Sequence, residues 1–282
     1  MSFSLGDNLI FLEKKKYFFT ALFFVITVLL IAIIVGQEGW GERSEKRIGI
    51  TKNFCEMNHE GLIRQPMNTL SSFALCIPGF YILWKWEDQE PTQTVHYEQG
   101  QSPLKYQSIE SALFAITCIL VGLGAAAAHG TQSKEGSTLD VLAMVLWILF
   151  PIIFNISRMR KYDSISFFTI WSIVSLLGIL ILKTDIFLSK IGVANFYMFA
   201  IPLWIIIEIV AVKSKLRESN KWLMFGTLSF TTGYLTWLYD QTEAGCNAYS
   251  LFQWHAVWHI LCAVSMYSFW LHLRMENADQ KL

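Results

Sequence analysis

The chain has 282 residues with 22 basic and 22 acidic side chains, so its formal net charge is zero. Hydrophobic residues make up 54% and charged residues only 16%, against about a quarter charged in an ordinary soluble domain. That balance excludes a typical water-soluble domain, gives no basic surface for nucleic acid, and signals no protein partner.

Apolar runs of about 18–20 residues, long enough to cross a bilayer as a helix, recur along the chain. Eight spans are predicted, at 17–36, 67–85, 110–129, 138–157, 164–182, 194–212, 222–239 and 251–273. Lys14, Lys15 and Lys16 precede span 1 as they would a signal peptide. Its apolar stretch is too long for one, and no small-x-small cleavage site follows, so a retained anchor is expected. Span 2 opens on Asn68, Ser71 and Ser72. Span 3 closes on the small run Ala125–Ala128, suited to close helix packing, and then His129. Span 4 opens near Asp140. Span 6 carries Glu208, read as an interfacial side chain reaching toward the inner surface. Span 7 ends at Asp240, and span 8 begins with His255 and His259.

Lysine and arginine set the expected orientation. With both termini inside, 14 of the 22 basic residues fall on the inner side, and the short outer loop 240–250 has none. In that arrangement His129, Asp140, Asp240, His255, His259 and the Asn68 turn all fall at the outer, periplasmic or lumenal, end. Ionisable groups at membrane depth are costly and are candidates for function.

His255 and His259 are four residues apart, so they share one helix face and can grip a single ion. With His129 from another helix they make the three-nitrogen set of an open zinc site. Such an ion lowers the pKa of bound water to about 7 and polarises a carbonyl. Asp140 could orient or deprotonate that water. A plainer reading makes Asp140 the fourth residue of a capping box, Ser137-Thr-Leu-Asp140. The histidines could likewise be hydrogen-bonded core residues. Haem ligation is a further alternative, but two histidines on one helix would crowd a single opposing partner.

The ordered fragments "NFCEMN", "RQPMNTLSS", "VGLGAAAAHG", "STLDVLAM", "WLYD" and "FQWHAVWHIL" resemble the alkaline ceramidases and their bacterial relatives. That family lies within the seven-helix membrane hydrolases that include the adiponectin receptors. The resemblance runs from about residue 53 to 274. It implies an all-α polytopic membrane protein with a seven-helix core, spans 2 to 8, and one extra N-terminal transmembrane helix. The expected organisation is an anchor at 1–40, an outer loop at 41–66, a catalytic membrane domain at 67–274 and a tail at 275–282. It also implies zinc held by His129, His255 and His259, with Asp140 beside the reacting water. The reaction implied is hydrolysis of the amide of a ceramide-like lipid that diffuses in from the bilayer. Two departures stand out. Ala125 occupies the position of a family serine that supports the reacting carbonyl, leaving Asn68, Ser72, Thr131 or Asp240 as substitute donors or supporting groups. A weak or inactive lipid-binding receptor of the same fold is therefore the alternative function. The positions matching the family's calcium site are Asn53, Glu56, Asn58 and Gln65. One carboxylate among them is a poor cage for calcium, so no tight calcium site is expected. The resemblance finally implies a disulfide between Cys55 and Cys246, with Cys76, Cys118 and Cys262 left reduced within the spans.

Overall fold

The computed structural model describes residues 15–37, 39–40, 54–86, 88, 101–183 and 192–276. The expected calcium-type residue Asn53, the first half of the 41–66 loop (residues 41–53) and the tail beyond Glu276 lie outside them. The described chain is helical. Its α1 is Lys16–Gly36, α2 Pro66–Ser72 and α3 Cys76–Trp86. Then follow α4 at Ile109–Thr131, α5 at Lys134–Arg160 and α6 at Ser164–Lys183. The last three are α7 at Gly192–Lys213, α8 at Lys221–Asp240 and α9 at Trp254–Arg274. Among the described residues, the one β-type pairing is an isolated bridge between Arg217 and Glu276. All eight predicted spans correspond to helices, and among the described residues six segments are both long and apolar enough to cross a membrane. The fold is that of an all-α polytopic membrane protein.

Predicted span 2 is not one straight helix. A 3₁₀ turn, Phe73–Leu75, joins α2 to α3. Pro78 has no N–H to give the carbonyl of Ala74, four residues back, and the chain tightens there. Helix α1 lies at the periphery. It touches α3 through Phe18, whose ring meets Phe80 and Trp84 at 5.8 and 5.0 Å, and leaves Phe23, Ile31 and Ile34 exposed. Exposed apolar side chains along a whole helix fit contact with lipid, which has no hydrophobic penalty for them.

The core is closed by rings and small residues. Phe114 of α4 packs on Phe150 of α5 at 5.1 Å, and Phe150 on Phe167 of α6 at 5.4 Å. Trp204 of α7 meets Phe269 of α9 at 4.6 Å. A Cβ on Gly124 would lie 2.8 Å from the Asp140 Cα, and one on Gly136 would lie 2.5 Å from the Ala127 carbonyl oxygen. Helices α4 and α5 therefore touch backbone to backbone along the Ala125–Ala128 run. Their connection is short because Gln132 adopts a left-handed conformation, φ 48°.

The end of the bundle away from the histidines holds a buried ionic cluster. Arg217 pairs with Glu208 at 3.0 Å and Glu276 at 3.3 Å, and Arg158 pairs with Glu276 at 2.8 Å. Asn155 donates to Glu208 at 2.6 Å, and His272 Nε2 lies 2.8 Å from the same carboxylate. Arg217 also donates to Asn155. Glu208 is thus not the interfacial side chain expected from sequence. It is 3% exposed and compensated, as a buried carboxylate must be.

Candidate metal centre

Two helices bring the three imidazoles together. His129 sits in the last turn of α4, and His255 and His259 in the first two turns of α9. All three are buried, and one ligand atom from each lies within 4.8 Å of the others. His129 Nε2 and His255 Nε2 are 3.1 Å apart. Zinc–nitrogen bonds of about 2.0–2.1 Å in a tetrahedron place two nitrogens roughly 3.3–3.4 Å apart. The observed spacing fits that geometry closely.

Each of two rings is held by a second residue. Gln65 Oε1 lies 2.8 Å from His129 Nδ1 and also accepts from Gln132 Nε2 at 2.9 Å. Gln65 Nε2 donates to the Glu56 backbone carbonyl at 3.0 Å. The amide is therefore oriented with its oxygen toward His129, which places the proton on Nδ1 and leaves Nε2 as the lone-pair donor. His259 Nδ1 lies 2.9 Å from Ser71 Oγ. The Ser71 and Ser72 hydroxyls donate to the Asn68 carbonyl, at 3.0 and 2.7 Å. The Ser71 oxygen is left to accept from His259 Nδ1, again freeing Nε2. Phe54 lies against the His129 and His255 rings, with centroids 4.6 Å from each.

Two carboxylates fix the helices that carry these groups. Glu56 accepts from the backbone N–H of Met67 at 2.7 Å and of Asn68 at 2.8 Å, which caps α2. Burial pushes the Glu56 carboxyl above its ordinary range, and the two amide bonds oppose that shift. Asp240 accepts from His255 N and from Cys55 N, both at 3.2 Å, which caps α9 from across the fold. Negative groups are favoured at helix N-termini, and Gln253, the residue at the α9 N-cap, makes no such side-chain bond itself. Cys55 and Cys246 form a disulfide with Cα atoms 5.3 Å apart, while Cys76, Cys118 and Cys262 are free. The backbone of Met57 adds a bond to the Ala248 carbonyl at 3.0 Å.

Asp140 is placed differently from the plain reading. Helix α5 starts at Lys134, and its N-cap is Ser133, which accepts from Gly136 N. Ser137 and Asp140 lie inside the helix, so the capping box of the plainer reading is not formed. The signal was ambiguous because serine stands at both 133 and 137, and the Lys134–Gly136 stretch is too polar to read as helix. Asp140 does not join the three-imidazole ligand group; its backbone rests against Gly124, five residues before His129.

The other candidates divide. Asn68 is fully buried and neither its amide oxygen nor its amide nitrogen has a partner within the protein. It shares a helix face with Ser71 and Ser72. Ser72 Oγ is 3.5 Å from His259 Nδ1. Thr131 is spent elsewhere, donating to the Ala127 carbonyl at 2.7 Å and meeting Ser133 Oγ at 2.8 Å. Of the residues matched to a calcium site, Glu56 and Gln65 hold α2 and His129 as described. Sequence reasoning brought Ser71 to the end that holds the histidines without pairing it with His259, and missed Phe54 as their neighbour and Gln65 as the partner of His129.

A helical membrane protein with a buried three-histidine centre able to hold a metal, zinc included, is the class these observations define. The model of the ceramidase family matches residues 48–281, and the chain belongs to that family. Membership implies hydrolysis of ceramide and a lipid substrate. A comparison with curated proteins finds no match.

Proposed function

We propose that the protein is a membrane-embedded zinc-dependent amidase that cleaves the N-acyl bond of ceramide-like lipids. The observation that carries this reading is the buried trio of imidazoles, two of them with their Nδ1 atoms held by Gln65 and Ser71. His129, His255 and His259 are the ligands. A zinc ion held there would supply Lewis acidity and an acidified water. Asp140 takes a proton from the attacking water and returns it to the leaving nitrogen. Water oxygen bonds to the acyl carbon, the carbon–nitrogen bond breaks, and a fatty acid and a long-chain base leave. Asn68, with an unpartnered amide on the His259 side of α2, donates to the substrate carbonyl oxygen in place of the missing serine at Ala125. A preorganised donor of that kind is worth about a hundred- to a thousandfold in rate.

Topology follows the same reading. The disulfide and the histidines lie at one end of the bundle, and a disulfide persists in an oxidising compartment. The inner-side lysines and arginines among the described residues, such as Lys105, Arg158, Lys221 and Arg274, lie at the other. Both termini are therefore assigned to the inner side, with the metal centre toward the periplasm or a lumen. The deciding experiment is purification in detergent, metal analysis, and incubation with a panel of N-acyl lipids read by mass spectrometry. One zinc per chain with release of fatty acid is expected. Zinc without product from any lipid would transfer the assignment to a lipid-binding receptor, the reading that Ala125 favours.

A further inference from the structure

At the end of the bundle away from the histidines, Lys105, Trp222, Leu271, Arg274 and Met275 line an open cleft of about 380 Å³. The lining comes from the 3₁₀ turn Pro103–Lys105, the first turn of α8 and the end of α9. The Arg274 guanidinium stacks on the buried Trp270 ring, 4.7 Å from its centroid. Its Nε atom is buried and has no hydrogen-bond partner. Lys221 places its ammonium over Trp222 at 5.6 Å, adding a cation beside the cleft. Among the described residues, none of Lys105, Lys221 and Arg274 makes an ion pair. Among the described residues, two carboxylates adjoin the cleft through Met275. Glu276 is committed to Arg158 and Arg217. Glu218, which joins this end through a backbone bond to the Met275 carbonyl, is exposed and pairs with none of these cations.

Among the described residues, the cleft therefore combines positive charge that no carboxylate pairs with and an apolar wall. A soluble anion would use the charge and leave Trp222, Leu271 and Met275 unused. An amphiphile whose anionic group meets the cations and whose tail follows the apolar wall uses both. Basic pockets between membrane helices take acidic lipid headgroups on this principle. We propose that this cleft is a binding site for an acidic phospholipid, in the leaflet opposite the metal centre. The site is separate from the reaction and does not depend on it.

The test is native mass spectrometry of the full chain in non-ionic detergent, titrated with phosphatidylglycerol or phosphatidylcholine. Wild type is expected to retain one phosphatidylglycerol at concentrations where phosphatidylcholine is lost, a difference of at least about tenfold. Lys105→Gln/Arg274→Gln should weaken retention by about thirtyfold, roughly fivefold for each cation near the membrane surface. Arg160→Gln/Lys213→Gln removes two exposed cations from the same end but outside the cleft, and should bind like wild type. Unfolding temperatures check that each variant folds. If the first double variant does not, the half-buried Lys105→Gln alone carries the test through its fivefold loss. Equal retention of the two lipids, or an equal loss in the Arg160/Lys213 variant, would overturn the proposal.

Discussion

Gln65 and His129 are 64 positions apart in sequence and 2.8 Å apart in the structure, the glutamine carbonyl facing the ring nitrogen Nδ1. This bond sets which nitrogen of His129 is free to hold an ion. Partners of this kind typically change metal affinity by about 10- to 100-fold when removed. Gln65→Ala should therefore weaken zinc retention by that factor, read by chelator competition, while leaving the helical content unchanged. Gln65→Glu keeps the acceptor and should retain most of the affinity. Wild-type retention in the alanine variant would show that the contact does not position the ring.

Removing a ligand is a larger change. His129→Ala, His255→Ala and His259→Ala should each lose stoichiometric zinc and all turnover. Metal analysis of the three purified variants is the measurement, and full zinc in all of them would sink the assignment of the centre.

Asp140 can now be separated from helix capping, because Ser133 makes the cap. Ser133→Ala should cost stability by about 1 kcal/mol with little effect on the rate per folded molecule. Asp140→Asn should do the reverse, abolishing turnover with fold and zinc retained. Normal activity in Asp140→Asn would leave the residue without a catalytic role.

Asn68 and Ala125 give a paired prediction. If the Asn68 amide donates to the substrate carbonyl, Asn68→Ala should lower kcat by about a hundred- to a thousandfold and spare zinc. Ala125→Ser in the wild-type background should then change the rate little, but should partly rescue Asn68→Ala. Thr131→Ala should be nearly neutral for the rate, since its hydroxyl is bonded to Ala127 and Ser133. Product formation from the same lipid panel reads all four proteins. Acceleration by Ala125→Ser alone, with Asn68→Ala silent, would refute the substitution of one donor by the other.

The cysteines allow a check in which no activity is measured. In folded, oxidised protein Cys55 and Cys246 should resist thiol labelling, and reduction should expose both. Reduction should also loosen the zinc, because Cys55 and His255 share the Asp240 carboxylate. Ready labelling of Cys55 before reduction would be incompatible with the bridge.

The parts of this fold that were readable in the sequence are those with a local signature. The spans show as apolar runs, and counting them brings His129 to the same end as His255 and His259. The helical spacing of the last two puts them on one face. What could not be read depends on partners distant in the chain. Gln65 looked like a failed calcium ligand because nothing local says its amide meets a ring on α4. Glu208 looked like a surface carboxylate because its partners Arg217, Asn155 and His272 come from three other segments. The start of α5 was misplaced by four residues because its first turn, Lys134–Ser137, is polar, although Ser133 caps it in the usual way.

The bridge between Cys55 and Cys246 spans 191 positions and sews the strand of chain before α2 to the one before α9. Asp240 adds a second stitch, holding Cys55 and His255 with one carboxylate. The segments leading into α2 and α9 are thereby tied together at this end. On the proposed reading, these two knots keep the mouth above the imidazoles from gaping while a lipid is handled, and reducing the bridge would leave Asp240 as the remaining knot.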